Sequence, residues 1–220
     1  MATSCINDYN FTPYLDKMTK WNGYKISWSF MHTFDPEDKR LLTIASEYTS
    51  KDGVVHNEKN DSQDPSAQLY LGAVPLKYEF DPDCTGEDSQ IDWIIYRYAD
   101  VLTLTAEAIV RNKNAVTKEA VDLLNEVRTR SLPGKGYSLQ DLNSVDKFLK
   151  AVLNERGWEL YFEGNRRQDL IRYGIFVETI KKKAQSMGKQ TLVDENRHRF
   201  PIPQSIIDEG KGVIEQNPGY

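Results

Sequence analysis

The chain has 220 residues, 39% hydrophobic and 28% charged, which is enough for one sizeable core and excludes a bare peptide or a chain disordered throughout. Its formal charge is -5, from 28 Lys and Arg against 33 Asp and Glu. That balance excludes the clustered cations a nucleic-acid partner requires, and no run of about 18 apolar residues exists to span a bilayer as a helix.

Met1-Ala2-Thr3-Ser4-Cys5 lacks the basic and apolar regions of a signal peptide, so Cys5 is not expected to carry a lipid. Cys5 and Cys84 form no Cys-x-x-Cys pair, which argues against a zinc ribbon or thioredoxin-type chemistry. The first third reads as loops and short strands. Tyr24, Ile26, Trp28 and Phe30 alternate with Lys25, Ser27 and Ser29 at the period of a half-buried strand. Trp21, Tyr24 and Trp28 form an aromatic cluster that serves either as core or as a stacking platform for sugar rings. Residues 50–66 are polar and rich in turn formers, as in a long surface loop.

Asp81, Asp83, Thr85 and Asp92 take the first, third, fifth and twelfth positions of a calcium loop in outline, with Gly86 at the sixth. Pro82 and Cys84 are unusual inside such a loop, so neither a metal nor a cofactor is expected.

From Ile91 the pattern turns helical. Tyr98, Val101, Leu102, Thr105, Ala108 and Ile109 predict one apolar stripe on a helix ending near Asn112. Thr117 caps a second helix through Ala120, Val121, Leu124 and Val127, with Pro133 and Gly134 beyond it. The pair is a tetratricopeptide-type hairpin over 91–130, with Tyr98 and Leu124 expected in its core. A single such hairpin cannot bury both stripes alone.

A third helix is predicted from Ser144 to Glu163, with Gly164 to stop it, and a fourth from Arg167 to Ser186, broken near Gly174. Together they fill 144–186. Phe200-Pro201-Ile202-Pro203 forces extended backbone within a tail over 197–220. The basic runs Lys181-Lys182-Lys183 and Arg197-His198-Arg199 read as solvated faces.

The densest polar set is Glu155, Arg156, Glu159, Glu163, Arg167, Asp169 and Arg172. Glu155, Glu159 and Glu163 are successive i,i+4 neighbours and repel one another unless arginines answer them; Arg167 and Arg172 are the expected partners. Two of these carboxylates could also be read as the acid and nucleophile of a glycan hydrolase. Adjacent guanidinium groups lower carboxyl pKa values, however, which favours a structural ion-pair network and no catalytic residue. His32, His56 and His198 are scattered, and no nucleophile or zinc motif is present.

Taken in order, a further set of motifs resembles the SusD/RagB family. They are Asp35-Pro36-Glu37-Asp38-Lys39-Arg40, Lys77-Tyr78, Arg97 to Leu102 with Ala106-Glu107-Ala108, Asn125 to Arg130, Glu155-Arg156 with Glu159 to Gly164, Asp169 to Arg172, Phe200 to Pro203, and Gln216 to Tyr220. The resemblance runs from residue 34 to 220 and leaves 1–33 without a motif. It implies a mainly α, SusD-like fold: a tetratricopeptide-type hairpin plus packed helices, lacking the family's N-terminal half with its lipidated cysteine. It implies no catalysis. The role implied is binding of polysaccharides, oligosaccharides or other nutrients at the outer-membrane surface, for delivery to a TonB-dependent transporter.

Overall fold

A computed structural model describes residues 23–78, 81–86 and 88–220. The chain divides into two compact units, the first ending at Glu163 and the second spanning Gly164–Tyr220. The fold is mainly helical, with short strands confined to the first third.

The strand expected over Tyr24 to Phe30 shrinks to a single bridge, Ile26 with Ala73, and Trp28–Met31 coils into a one-turn helix, α1. The bridge depends on Gly72. A Cβ there would sit 1.9 Å from the Ile26 carbonyl oxygen, and its φ of +143° is one that L side chains rarely adopt. Beyond a 3-10 turn, Lys39–Thr43, strands β1 (Ile44–Ala45), β2 (Glu47–Thr49), β3 (Val55–Asn57) and β4 (Val74–Pro75) form two antiparallel pairs, β1 with β4 and β2 with β3. Helix α2 (Glu58–Asp61) follows β3 directly, so the polar stretch 50–66 is folded into a hairpin and a helical turn. Ala45, Tyr48, Leu69 and Val74 close a small core over these pairs.

Helix α3 spans Tyr98–Lys113, seven residues later than predicted at its start. Residues 91–97 stay non-helical and Arg97 is extended (φ -149°, ψ 164°); the helix ends at Asn114 in the left-handed region, which Asn tolerates. Its buried face is Leu102, Thr103, Ala106, Glu107 and Val110. The predicted stripe was therefore rotated. Tyr98 is 68% exposed and does not lie in the hairpin core, whereas Leu124 is fully buried. Val101 and Ala108 are exposed too.

Helix α4 (Lys118–Ser131) is capped by the Thr117 hydroxyl, which accepts from the Ala120 amide, and it buries Ala120, Val121, Leu124 and Val127 as the spacing predicts. Helix α5 (Val145–Glu159), capped by Ser144, packs on both α3 and α4. Phe148, Ala151 and Val152 join Ala106, Val110, Ala120, Val121 and Leu124 in one core. Thus α5 is the third layer that a lone hairpin lacks. It stops at Glu159, short of the predicted Glu163, because Phe162 and Gly164 take positive φ and turn the chain.

In the second unit Gly174 (φ +70°) separates α6 (Arg166–Arg172) from α7 (Phe176–Ser186), as the sequence predicts. The tail is not wholly extended: it carries a 3-10 turn, Glu195–His198, and α8, Gln204–Glu209. Its end doubles back on Phe200 to Pro203. The Gln216 side-chain amide accepts from the Ile202 amide (2.8 Å) and donates to the Ile202 carbonyl (2.9 Å), while Asn217 donates to the Phe200 carbonyl. Lys181, Lys182 and Lys183 are exposed, but Arg197 lies over the Tyr220 ring and His198 packs edge-on to Phe176. The second basic run is therefore part of the packing.

Candidate functional site

The carboxylate row sits at the centre of the first unit. The Asp38 carboxylate accepts the Arg40 amide, which orders the 3-10 turn, and also takes the Arg40 Nε (2.9 Å) and Nη2 (2.6 Å). Arg40 Nη1 then donates to Glu155 (2.6 Å) and Glu159 (3.2 Å) on α5, more than a hundred positions away. Glu155 is fully buried and receives Arg128 Nη1 at 3.1 Å.

Glu159, 2% exposed, accepts from Arg97 Nη1 (2.6 Å) and from Arg130. Glu163 receives Arg97 Nε and the Lys77 ammonium, and Lys77 also donates to the carbonyls of Glu159 and Tyr161. Arg156 projects toward α3, donating to Asp100 (2.6 Å) and Thr103 (2.9 Å).

Burial pushes the Glu159 carboxyl up, yet the charges and hydrogen bonds of Arg97 and Arg130 outweigh it and hold the group below the usual carboxylate range. For Arg40, burial opposes the charge but Asp38 and Glu155 reverse it, so the guanidinium stays firmly protonated. Burial raises the Tyr161 phenol to about 12, and its hydroxyl is tied to Thr43. A general acid needs a raised carboxyl pKa, and a nucleophile needs an open face. Glu159 offers neither, and Glu155 and Glu163, both buried, offer no open face.

The partners differ from those expected. Arg167 donates to the Arg197 carbonyl and lies over Phe176 and Phe200, and Arg172 pairs with Asp169 three residues earlier; all belong to the second unit. The helix ends at Glu159, so the i,i+4 line does not run on to Arg167 and Arg172. Sequence reasoning missed Arg40, Lys77, Arg97, Arg128 and Arg130 as the answering cations, and Asp38, which holds Arg40. The signal was present: each falls inside one of the ordered motifs, and the motifs between Asp35 and Gly164 all supply charges to the same cluster.

Two of the cavities among the described residues of the first unit are polar or charged. One of about 300 Å3 borders the network and is lined by Arg40, Lys77, Arg130, Glu159 and Tyr161 among others. A polar one of about 540 Å3 lies beside the 50–66 hairpin, lined by Asp52, His56, Asn60, Asp64, Ser66 and Gln68.

Of the aromatic cluster, Trp21 lies outside the described residues. Trp28 joins two of the cores and its indole donates to the Leu69 carbonyl at 3.1 Å, so it is committed to packing. Tyr24 is 57% exposed and meets Phe162 edge-on at 5.6 Å, so the two do not form a common platform. Another exposed aromatic was missed: Trp93, 50% exposed, stacks on Tyr78 at 4.8 Å.

The calcium outline of Asp81, Asp83, Thr85 and Asp92 falls on a turn that Asp81 ties together. The Asp81 oxygens accept the amides of Asp83 (2.9 Å) and Gln90 (2.7 Å), and Thr85 bridges to Asp88. The carboxylate is closing a turn instead, and no group of three metal-ligating side chains occurs among the described residues.

Residues 8–220 match the SusD family profile, which begins upstream of the first motif at Asp35. SusD-like protein P2 of Formosa agariphila is 27% identical over 209 residues, 91% of this chain and 41% of the relative. Starch-binding protein SusD of Bacteroides thetaiotaomicron is 30% identical over 132 residues, 57% of this chain and 21% of the relative. A crystal structure of a SusD homolog from the same bacterium superposes with a TM-score of 0.68 at 29% identity, covering 87% of this chain and 43% of that one. Surface glycan-binding protein A from Bacteroides thetaiotaomicron, in complex with laminarihexaose, is alike in fold, with a TM-score of 0.65 at 21% identity over 98% of this chain and 46% of that one. The chain spans less than half the length of these relatives.

Proposed function

The chain belongs to the SusD family, and from that premise we propose that the protein binds glycan without cleaving it, at the surface of the outer membrane, for delivery to a TonB-dependent transporter. The observation that carries binding over hydrolysis is the saturation of Glu155, Glu159 and Glu163 by Arg40, Arg97, Arg128, Arg130 and Lys77. The starch-binding name of a relative supports a glycan as the ligand class. No helix among the described residues is long and apolar enough to cross a membrane.

Tyr24, with its exposed ring, and Trp21 remain the proposed stacking contacts from the aromatic cluster. Trp28 enters only through its packing in the core beside Ile26 and Ala73. A glycan array on the protein, followed by calorimetry of Tyr24→Ala with the best ligand, tests this: affinity should fall by about three- to tenfold, the value of one stacking ring. Release of labelled product from any polysaccharide, abolished by Glu159→Gln, would replace the binding role with hydrolysis. Retained affinity in Tyr24→Ala would move the site elsewhere.

A further inference from the structure

The cavity of about 300 Å3 beside the network has features that packing does not require. Besides Arg40, Lys77 and Glu159 it is lined by Lys39, Arg130 and Ser131. The charges gathered here do not balance. Of the charged residues that line it, four are cations, Lys39, Arg40, Lys77 and Arg130, and one, Glu159, is a carboxylate.

The surplus is not spread evenly. Arg40, Arg97 and Lys77 are each held by carboxylates at the buried end. Arg130 is 62% exposed and gives one nitrogen, Nη2, to Glu159; Lys39 is exposed and has no carboxylate partner among the described residues. The unused donors therefore stand on the solvent side of the cavity. Beside them the hydroxyl of Ser131, a residue only 5% exposed, has no hydrogen-bond partner among the described residues.

An anion placed between Lys39 and Arg130 gains charge-assisted hydrogen bonds from both. A neutral hydroxyl draws no such charge-assisted pairing. The volume is at the small end for ligand cavities, room for one charged substituent and its ring more than for a chain of sugars.

We propose that this cavity binds the oxyanion of an acidic glycan, the carboxylate of a uronic acid or a sulfate ester, with Lys39, Arg130 and Ser131 as its contacts. The inference rests on the glycan-binding reading and narrows its ligand class. Calorimetry on the 220-residue chain at low salt compares three probes: an oligogalacturonate, a sulfated galactose oligosaccharide and uncharged maltohexaose. At least one acidic probe should bind about tenfold or more tighter than maltohexaose and weaken as salt is added. Which acidic probe prevails distinguishes carboxylate from sulfate ester.

Lys39→Gln, on an exposed turn, should cost about tenfold in affinity for that probe, and Arg130→Gln should act in the same direction. Acidic probes that bind no tighter than maltohexaose would overturn this inference while leaving glycan binding in place. Failure of all three to bind would overturn both. An acidic probe unaffected by either substitution would also remove the cavity as its site.

Discussion

Replacing Glu159 by alanine tests whether the network stabilises the fold or merely decorates it. Removing one partner of a buried pair costs roughly 3–5 kcal/mol, because the other charge is left uncompensated in a poorly solvated site. The structure lowers that figure here. Arg40 keeps Asp38 and Glu155, Arg97 keeps Glu163, and Arg130, 62% exposed, can turn to water. The expected loss is about 2–4 kcal/mol.

The control is Asp122→Ala, whose partner Lys118 is, like Asp122, more than half exposed; it should cost under about 0.5 kcal/mol. Urea titration followed by tryptophan fluorescence is the assay, since Trp28, Trp93 and Trp158 pack within the first unit and report on it. A loss below about 0.5 kcal/mol for Glu159→Ala, with the urea slope unchanged, would refute the buried-network reasoning.

The lowered Glu159 pKa sets a pH dependence: its contribution is fully present above the ordinary value of 4.5 and is lost as pH falls through the depressed folded value, which urea midpoints between pH 7 and 3 should show. Leu124→Ala, at the fully buried centre of the three-helix core, should cost about 2–5 kcal/mol by the same titration. Gly72→Ala should abolish the Ile26 to Ala73 bridge or unfold the first third, since its Cβ meets the Ile26 carbonyl; proteolysis near Ile26 would report it. Ile95, Tyr96, Tyr98 and Val101 are all more than half exposed, so the 220-residue chain should self-associate, and Tyr96→Ser with Val101→Ser should shift sedimentation toward monomer.

The helices were legible where spacing and caps agreed. Thr117 and Ser144 stand before periodic apolar runs, and α4 and α5 begin at the next residue. The α3 face was misread because its buried side includes Asp100, Thr103 and Glu107, polar residues that an apolar count discards. Asp100 is buried because Arg156 meets it, a partner fifty-six positions away that no local pattern announces. The same limit hid Arg40 from the carboxylate row. Local periodicity did show that Glu155 and Glu159 share a face; it could not show which loops would bring cations to them. Trp28 illustrates the converse: alternation with Ser27 and Ser29 suggests a strand, but the Ser27 carbonyl accepts from Phe30 and Met31 and closes a helical turn.

The span of the network along the chain has a kinetic consequence. Helices α3, α4 and α5 are consecutive and close short loops, whereas Arg40 meets Glu155 across 115 positions and Lys77 meets Glu163 across 86. Loop closure of that length is entropically costly before any contact rewards it, so the three-helix layer is expected to form first and the charges to lock afterwards. Interactions absent from the transition state act on the unfolding rate. Glu159→Gln should therefore steepen escape from the native state while leaving refolding nearly unchanged, and a chevron would show the difference in its unfolding arm. On this view the arginines that thread through the first unit work as a latch, setting how long the surface stays assembled once folded.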